Sequence, residues 1–231
     1  MQNRRQILHL GAATAGLALS ACASAAKGAA KSPEREDEHG GQREAEVSPG
    51  EDLMQEHGVL ERVVIVYEAA ALRIERSERL DASVVSKAAG IVRRFVEDYH
   101  ERTEEKFVFP RLQAAGREQG LVTTLLRQHE RGRQLTDEIA RRASAGSSPE
   151  LGQLLRSFGH MYRAHASRED TVAFPAFRSL LSAAEYAELG EQFEEREHQL
   201  LGQQGFEGAV AEVARLEAQL GIDDLATFTP P

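Results

Sequence analysis

The chain has 231 residues, of which 28% are charged and 6% aromatic, with no tryptophan and a formal net charge of −9. This composition is ordinary for a soluble helical protein and fits neither a collagenous nor a disulfide-rich class. Because phosphate binding needs a basic face, an acidic chain is not expected to take nucleic acid as its partner. The single cysteine, Cys22, excludes an intrachain disulfide and a thiolate metal site.

Residues 1–22 predict an export signal. Two arginines precede a small and apolar run that ends near Leu19 and is too short to span a bilayer. The segment Asn3-Arg4-Arg5-Gln6-Ile7-Leu8 resembles a twin-arginine signal, in which Asn3 and Ile7 are variants of the usual residues. That resemblance implies export of a protein that is already folded, often with its cofactor bound.

The end of this segment resembles a lipobox. In Leu19-Ser20-Ala21-Cys22 the cysteine would be acylated and become the new N-terminus. The resemblance implies a lipid anchor on Cys22 that holds the protein to a membrane, at the periplasmic or cell-envelope face. Cleavage after Ala21 or Ala23, with Cys22 incidental, is the alternative.

The rest of the chain divides by composition. Residues 23–47 are rich in Ala, Ser, Gly, Lys and Glu and hold almost no large apolar side chain, so they predict a flexible tether. Residues 48–180 predict the main helical domain, 181–222 one or two accessory C-terminal helices, and 223–231 a tail.

From Ser48 onward the chain predicts an all-α fold, since no segment shows a period of two. Helix starts are signalled by capping boxes at Ser48-Pro49-Gly50-Glu51 and Ser182-x-x-Glu185, and by the cap and proline of Ser148-Pro149. The predicted helices span 49–76, 82–113, 118–144, 149–177, 183–201 and 206–220.

Each of the first four predicted helices carries one histidine on its apolar stripe, and two of these histidines belong to a repeat. His100-x-x-x-Glu104-x-x-x-x-Phe109-Pro110 and His165-x-x-x-Glu169-x-x-x-x-Phe174-Pro175 match in every interval, and each follows a helix with a single inward histidine, His57 or His129. The chain therefore predicts two similar hairpins that pack as an antiparallel up-down four-helix bundle. The four histidines and the two glutamates of the repeat then lie at one level of the bundle. A histidine and a glutamate that are four residues apart lie on the same face of a helix, so both can reach one metal centre.

Buried carboxylates turn this pattern into a metal-site prediction. A lone histidine on an apolar stripe is more often a core residue, but burying Glu104 and Glu169 unpaired costs several kcal/mol. A cation removes that cost, and imidazole with carboxylate favours iron or manganese. Because carboxylates on opposite helices can bridge, two ions are expected. Water, an oxo or hydroxo bridge, or an outside ligand such as O2, peroxide or NO fills the remaining positions.

These residues resemble the hemerythrin-like (HHE cation-binding) family, whose helical bundle holds a non-haem di-iron centre. The segment Asp52-Leu53-Met54-Gln55-Glu56-His57-Gly58 is also similar to the first helix of that family. The resemblance covers about residues 50–180. It implies two iron ions held by His57, His100, His129 and His165, with Glu104 and Glu169 as bridges.

The chain departs from the oxygen-carrying hemerythrins one turn after His129, where Arg133 replaces a second histidine. Glu101 is a candidate replacement ligand, with a solvated surface acid as the alternative. Tyr162 faces the same seam and is a candidate to bind iron or hydrogen-bond a ligand, or else a packed core aromatic. His198, on an accessory helix, is a weaker candidate.

Three functions remain open from the sequence. The first is a di-iron protein of the cell envelope that binds or senses oxygen or nitric oxide, or buffers iron. The second is a di-iron peroxidase or oxidase, in which Arg133 and Tyr162 alter the chemistry of the same centre. The third is a metal-free structural bundle.

Overall fold

A computed structural model describes residues 47–230. The predicted export signal, Cys22 and nearly all of the predicted tether lie outside the described residues. Within 47–230 the chain is helical and has no β-strand, which confirms the prediction of an all-α fold.

Eight α-helices and three π-helical segments make up most of residues 47–230. The α-helices are α1 (Pro49–Glu75), α2 (Ser83–Ile91), α3 (Phe109–Ala114), α4 (Gln119–Ala145), α5 (Pro149–Arg168), α6 (Phe174–Arg178), α7 (Ala183–Leu201) and α8 (Gly205–Leu220). The π-helical segments are Val92–Glu101, Glu104–Val108 and Glu169–Ala173. Every predicted helix boundary lies within one residue of a helix end in the structure.

Three serines begin helices as their spacing indicates. The hydroxyls of Ser48, Ser148 and Ser182 each accept a hydrogen bond from a backbone N–H three residues later, which satisfies an otherwise unpaired donor of the first turn. At Ser182 the side chain of Glu185 returns the bond and completes a capping box. At Ser48 the structure has the hydroxyl bond, while the Glu51 side chain is exposed.

The repeated Phe-Pro pairs each follow a π-helical segment, a feature that the sequence pattern did not predict. Pro110 and Pro175 lie in the first turns of α3 and α6, directly after Glu104–Val108 and Glu169–Ala173. A proline lacks the N–H of the regular helical ladder and its ring crowds the preceding turn, so a widened turn accommodates it. Both widened turns begin at one of the glutamates of the repeat.

The helices that carry the four histidines are neighbours. α1 packs against α5 and against α2 with its π-helical continuation Val92–Glu101, which carries His100. α4 packs against the same elements. Two apolar clusters fill the space between them. One includes Leu60, Val64 and Val96, and the other includes Leu53 and Val108. On α1 the residue His57 falls between Leu53 and Leu60, so the polar groups occupy a layer between two apolar clusters.

The C-terminal helices pack on the outside of this arrangement. α8 lies against α1 and α2, where Val213 joins the first apolar cluster and Arg62 of α1 pairs with Glu217. α7 packs against α1 and the π-helical segment Val92–Glu101, and its Phe193 joins the second cluster. These contacts add apolar cover to the first two histidine-bearing helices.

Gly132 of α4 provides a test of how closely α4 and α5 approach. A Cβ at this position would lie 1.9 Å from the Tyr162 hydroxyl oxygen, so we expect Gly132→Ala to destabilise the protein by about 1–3 kcal/mol through overpacking. Gly58→Ala is the matched control, because a Cβ there meets nothing within 4 Å and should stabilise α1 by up to about 1 kcal/mol. Urea unfolding of both variants measures the difference, and equal effects would show that the helices separate easily.

Candidate metal centre

Two histidines from α1 and the following helix form the first half of the polar layer. The Nε2 atoms of His57 and His100 lie 3.0 Å apart. His57 Nε2 is also 3.3 Å from Glu169 Oε2, and His100 Nε2 is 3.6 Å from Glu104 Oε2. One ligand atom from each of these four buried residues lies within 4.8 Å of the other three, which is close enough for all four to hold one cation.

The other two histidines form a matching second half. The Nε2 atoms of His129 and His165 lie 3.1 Å apart. His129 Nε2 is 3.4 Å from Glu104 Oε2, and His165 Nε2 is 3.0 Å from Glu169 Oε2. These four residues also bring one ligand atom each within 4.8 Å of one another.

Glu104 and Glu169 belong to both groups. Each half therefore has two imidazoles of its own and shares both carboxylates with the other half. Each group could hold a cation, and the two groups have both carboxylates in common, which is the placement that the repeated His-x-x-x-Glu motif predicts. The structure thus brings together all six residues that the sequence analysis assigned to the centre.

The outer nitrogens of the histidines are held by residues that the sequence analysis did not single out. The Nδ1–H of His100 donates to Glu56 Oε2 at 2.7 Å, and the Nδ1–H of His129 donates to Glu105 Oε1 at 3.1 Å. Tyr99 also donates to Glu56, at 3.0 Å. These carboxylates orient two of the rings, which is the usual role of outer partners of metal-binding histidines.

The remaining two rings are held in the same way. The Nδ1–H of His165 donates to Gln128 Oε1 at 3.0 Å, and the Nδ1–H of His57 donates to Asp170 Oδ1 at 2.7 Å. With each Nδ1 carrying a proton, each neutral ring presents the lone pair of Nε2 to the interior. The signal for these partners was their position, because each is adjacent in sequence to one of the six central residues.

The electrostatics of the central carboxylates test whether a cation fits. Glu104 and Glu169 are both 0% exposed, and their oxygens accept no well-formed hydrogen bond from residues 47–230. Burial, and then the charge of Glu169, raise the pKa of Glu104 well above its usual value. Burial also acts to raise the pKa of Glu169, but His165 and His57 hold that pKa well below its usual value. The two buried carboxyl groups therefore have pKa values shifted in opposite directions.

The histidines respond to the same charges. Burial acts to lower the pKa of His57, but the carboxylates of Asp170 and Glu169 raise it to about 9. Burial lowers the pKa of His129 to about 4 and also lowers that of His100. Two facing imidazole lone pairs beside a carboxylate repel one another unless a proton or a cation lies between them. Cations held by these residues would satisfy the inward nitrogens and both carboxylates together, so the donor set fits a metal centre.

Glu101 and Tyr162 lie beside the second half of the centre. Glu101 is buried, not a solvated surface acid, and it accepts a hydrogen bond of 2.8 Å from the Tyr162 hydroxyl. Its other oxygen lies 2.8 Å from Arg133 Nη2. Burial raises the pKa of Glu101 to about 8, against the opposing effects of Tyr162 and Arg133. Glu101 is close enough to Glu105 and His129 to share a cation with them, and it is absent from the two central groups.

Aromatic rings flank both histidine pairs. The Phe174 ring stacks on His57 with centroids 5.6 Å apart, and the Phe109 ring lies 5.5 Å from that of His129. Because both phenylalanines are buried, they exclude water from the layer. Tyr162 packs against His165 at 5.6 Å. His198 is exposed on α7 and takes no part in the clusters found among residues 47–230.

Comparison with known families decides the classification. The hemerythrin HHE cation-binding domain matches residues 48–177, which is more than half of the chain. The chain belongs to the hemerythrin HHE family. Membership supports cation binding by the buried histidines and glutamates, since these lie inside the matched range.

The chain is also similar to uncharacterized proteins of Mycobacterium bovis and Mycobacterium tuberculosis. Each is 39% identical to it over 98% of this chain and 91% of the relative. No solved structure matches the chain. Among residues 47–230, no helix is both long and apolar enough to cross a membrane.

Two histidines of α5 provide a matched test of metal binding by this hemerythrin-family protein. We expect His165→Ala to lower the bound metal sharply, because it removes one inward nitrogen and leaves Glu169 with less compensation. His160→Ala should retain the metal content of the wild type, because His160 is exposed. Metal analysis of both variants after anaerobic reconstitution is the measurement. Equal metal content in the two would contradict the site.

Proposed function

We propose that this protein holds two non-haem iron ions in an antiparallel up-down four-helix bundle and uses them to bind or sense a small ligand such as O2 or NO, or to buffer iron. The supporting observation is that two four-residue groups share both Glu104 and Glu169. The packing of α1 and of α4 against both α2 and α5 supports the bundle.

The donor set supports iron. Imidazole and carboxylate without thiolate suit iron better than structural zinc or calcium. Two six-coordinate ions have about twelve positions, and four histidines with two bridging glutamates supply only about eight. Water, an oxo or hydroxo bridge and an outside ligand account for the rest. When bound, the metal pair supplies redox chemistry and a place for that ligand.

The surrounding side chains support ligand binding in a dry site. Phe109 and Phe174 cover the two histidine pairs, and the apolar clusters above and below the layer exclude water. Inside such a site, electrostatic contacts are stronger than in water. The chain's own contribution is therefore to orient four imidazoles, to offset part of the cation charge with Glu104 and Glu169, and to limit access.

A second candidate function is a di-iron peroxidase or oxidase. The observation that favours it is the group formed by Arg133, Glu101 and Tyr162 beside His129, where oxygen carriers have a further histidine. Arg133 keeps a cation and Glu101 a titratable proton near the centre. Such groups can hold and move protons during peroxide or oxygen reduction.

An optical experiment separates the two functions. Anaerobically reduced, iron-loaded protein should develop an absorption band when O2 or NO is added, and the band should disappear on degassing if binding is reversible. Steady turnover of peroxide with a reducing substrate, lost in Glu104→Ala, would instead establish the enzyme. Metal-loaded protein that gives neither a reversible adduct nor turnover would leave iron buffering as the function, and protein that takes up no metal would contradict all of these proposals.

We also propose that the protein is exported and lipid-anchored through Cys22, on the basis of its N-terminal pattern. In a bacterium with both export systems, the wild type should incorporate labelled palmitate and fractionate with membranes, and Cys22→Ala should do neither. Replacing Arg4 and Arg5 by lysine should retain the precursor in the cytoplasm. A mature chain without acyl label that begins after Ala21 or Ala23 would contradict the anchor and leave export intact.

A further inference from the structure

The four outer partners of the histidines form a closed ring around the centre. Each lies next to a central residue of its own helix but binds the histidine of the next helix. Glu56, beside His57, binds His100; Glu105, beside Glu104, binds His129; Gln128, beside His129, binds His165; and Asp170, beside Glu169, binds His57. Each helix thus orients the imidazole of its neighbour.

This ring follows the repeat of the two hairpins. Glu56 and Gln128 each precede the histidine of the first helix of a hairpin. Glu105 and Asp170 each follow the glutamate of the second helix. The repeat places an acidic residue at three of these positions and an amide at the fourth, Gln128. Glutamate and glutamine have nearly the same shape, so Glu56 and Gln128 differ mainly in charge.

The two halves of the centre therefore have different outer charges. His57 and His100 are held by two carboxylates, Asp170 and Glu56. In the other half, His165 is held by the neutral amide of Gln128.

In the second half, the one carboxylate that holds a histidine also pairs with arginine side chains. Glu105, which holds His129, is bound by Arg133 at 2.6 Å and by Arg102 at 2.6 Å. The nearby Glu101 is likewise paired with Arg133. Arginine cations thus offset the acidic charge next to His129.

A carboxylate on the outer nitrogen makes an imidazole a more basic ligand and strengthens its bond to a cation, whereas an amide does so less. We propose that the two cation positions are unequal: the position between His57 and His100 binds metal more tightly, and the positioning residues Glu56 and Gln128 set the difference. This inference rests on the proposed two-metal function. It assigns the second position, beside His129, to the more weakly held ion.

Exchanging the amide and the carboxylate tests the inference. Wild type, Glu56→Gln, Gln128→Glu and the double variant are titrated anaerobically with Fe(II) against a competing chelator, to give two stepwise dissociation constants. We expect Glu56→Gln to weaken the tighter site by about 10–100-fold and Gln128→Glu to strengthen the weaker one. The double variant should return a tight and a weak constant close to those of the wild type, because the exchange moves the tighter position to His129 and His165. Glu130→Gln, an exposed neighbour of His129, should leave both constants unchanged.

The direction of the changes separates this role from a structural one. If Glu56 and Gln128 only supported the fold, both single variants would weaken binding and lower the unfolding midpoint of the metal-free protein. Weakening of the looser site by Glu56→Gln, or constants that do not respond to either change, would overturn the inference while two bound metals remained. A wild-type protein that binds no pair of metals would overturn the proposed function and the inference together.

Discussion

Two carboxylates buried within an apolar interior set the main physical constraint on this protein. Glu104 and Glu169 are fully enclosed, and the ion pairs found for them among residues 47–230 are with imidazole nitrogens. Removing such acids from water costs more free energy than a few hydrogen bonds return. Cations held among the surrounding imidazoles would keep both acids charged, and the polar layer brings together the side chains that could hold them.

The outer hydrogen bonds determine how precisely the layer is built. Every inward histidine is oriented through its Nδ1 by a residue from another helix, as Glu56 orients His100. The inward histidines are therefore held in place by side-chain contacts in the protein itself. The apolar clusters on either side, with Phe109 and Phe174 against the rings, keep water out and strengthen the electrostatic contacts within.

The fold was largely predictable because its signals are local. Capping serines such as Ser148 and the periodic apolar residues mark where helices begin and which face they bury, and the structure agrees within one residue. The π-helical segments before Pro110 and Pro175 were missed, since a widened turn depends on how the backbone yields to a proline ring and leaves no spacing in the sequence. The partners of Glu101 were also missed, because Tyr162 and Arg133 reach it from other helices.

The sequence by itself determined an all-α chain with a duplicated His-x-x-x-Glu motif, because helical period and motif spacing are properties of neighbouring residues. Only the tertiary structure decided that Glu104 and Glu169 are shared by both histidine pairs and that each ring is held by the adjacent helix. It also showed that Glu105, which holds His129, is shared with two arginines, while His57 and His100 are held by carboxylates. Such contacts join residues far apart in the chain, so their distances depend on how the helices pack.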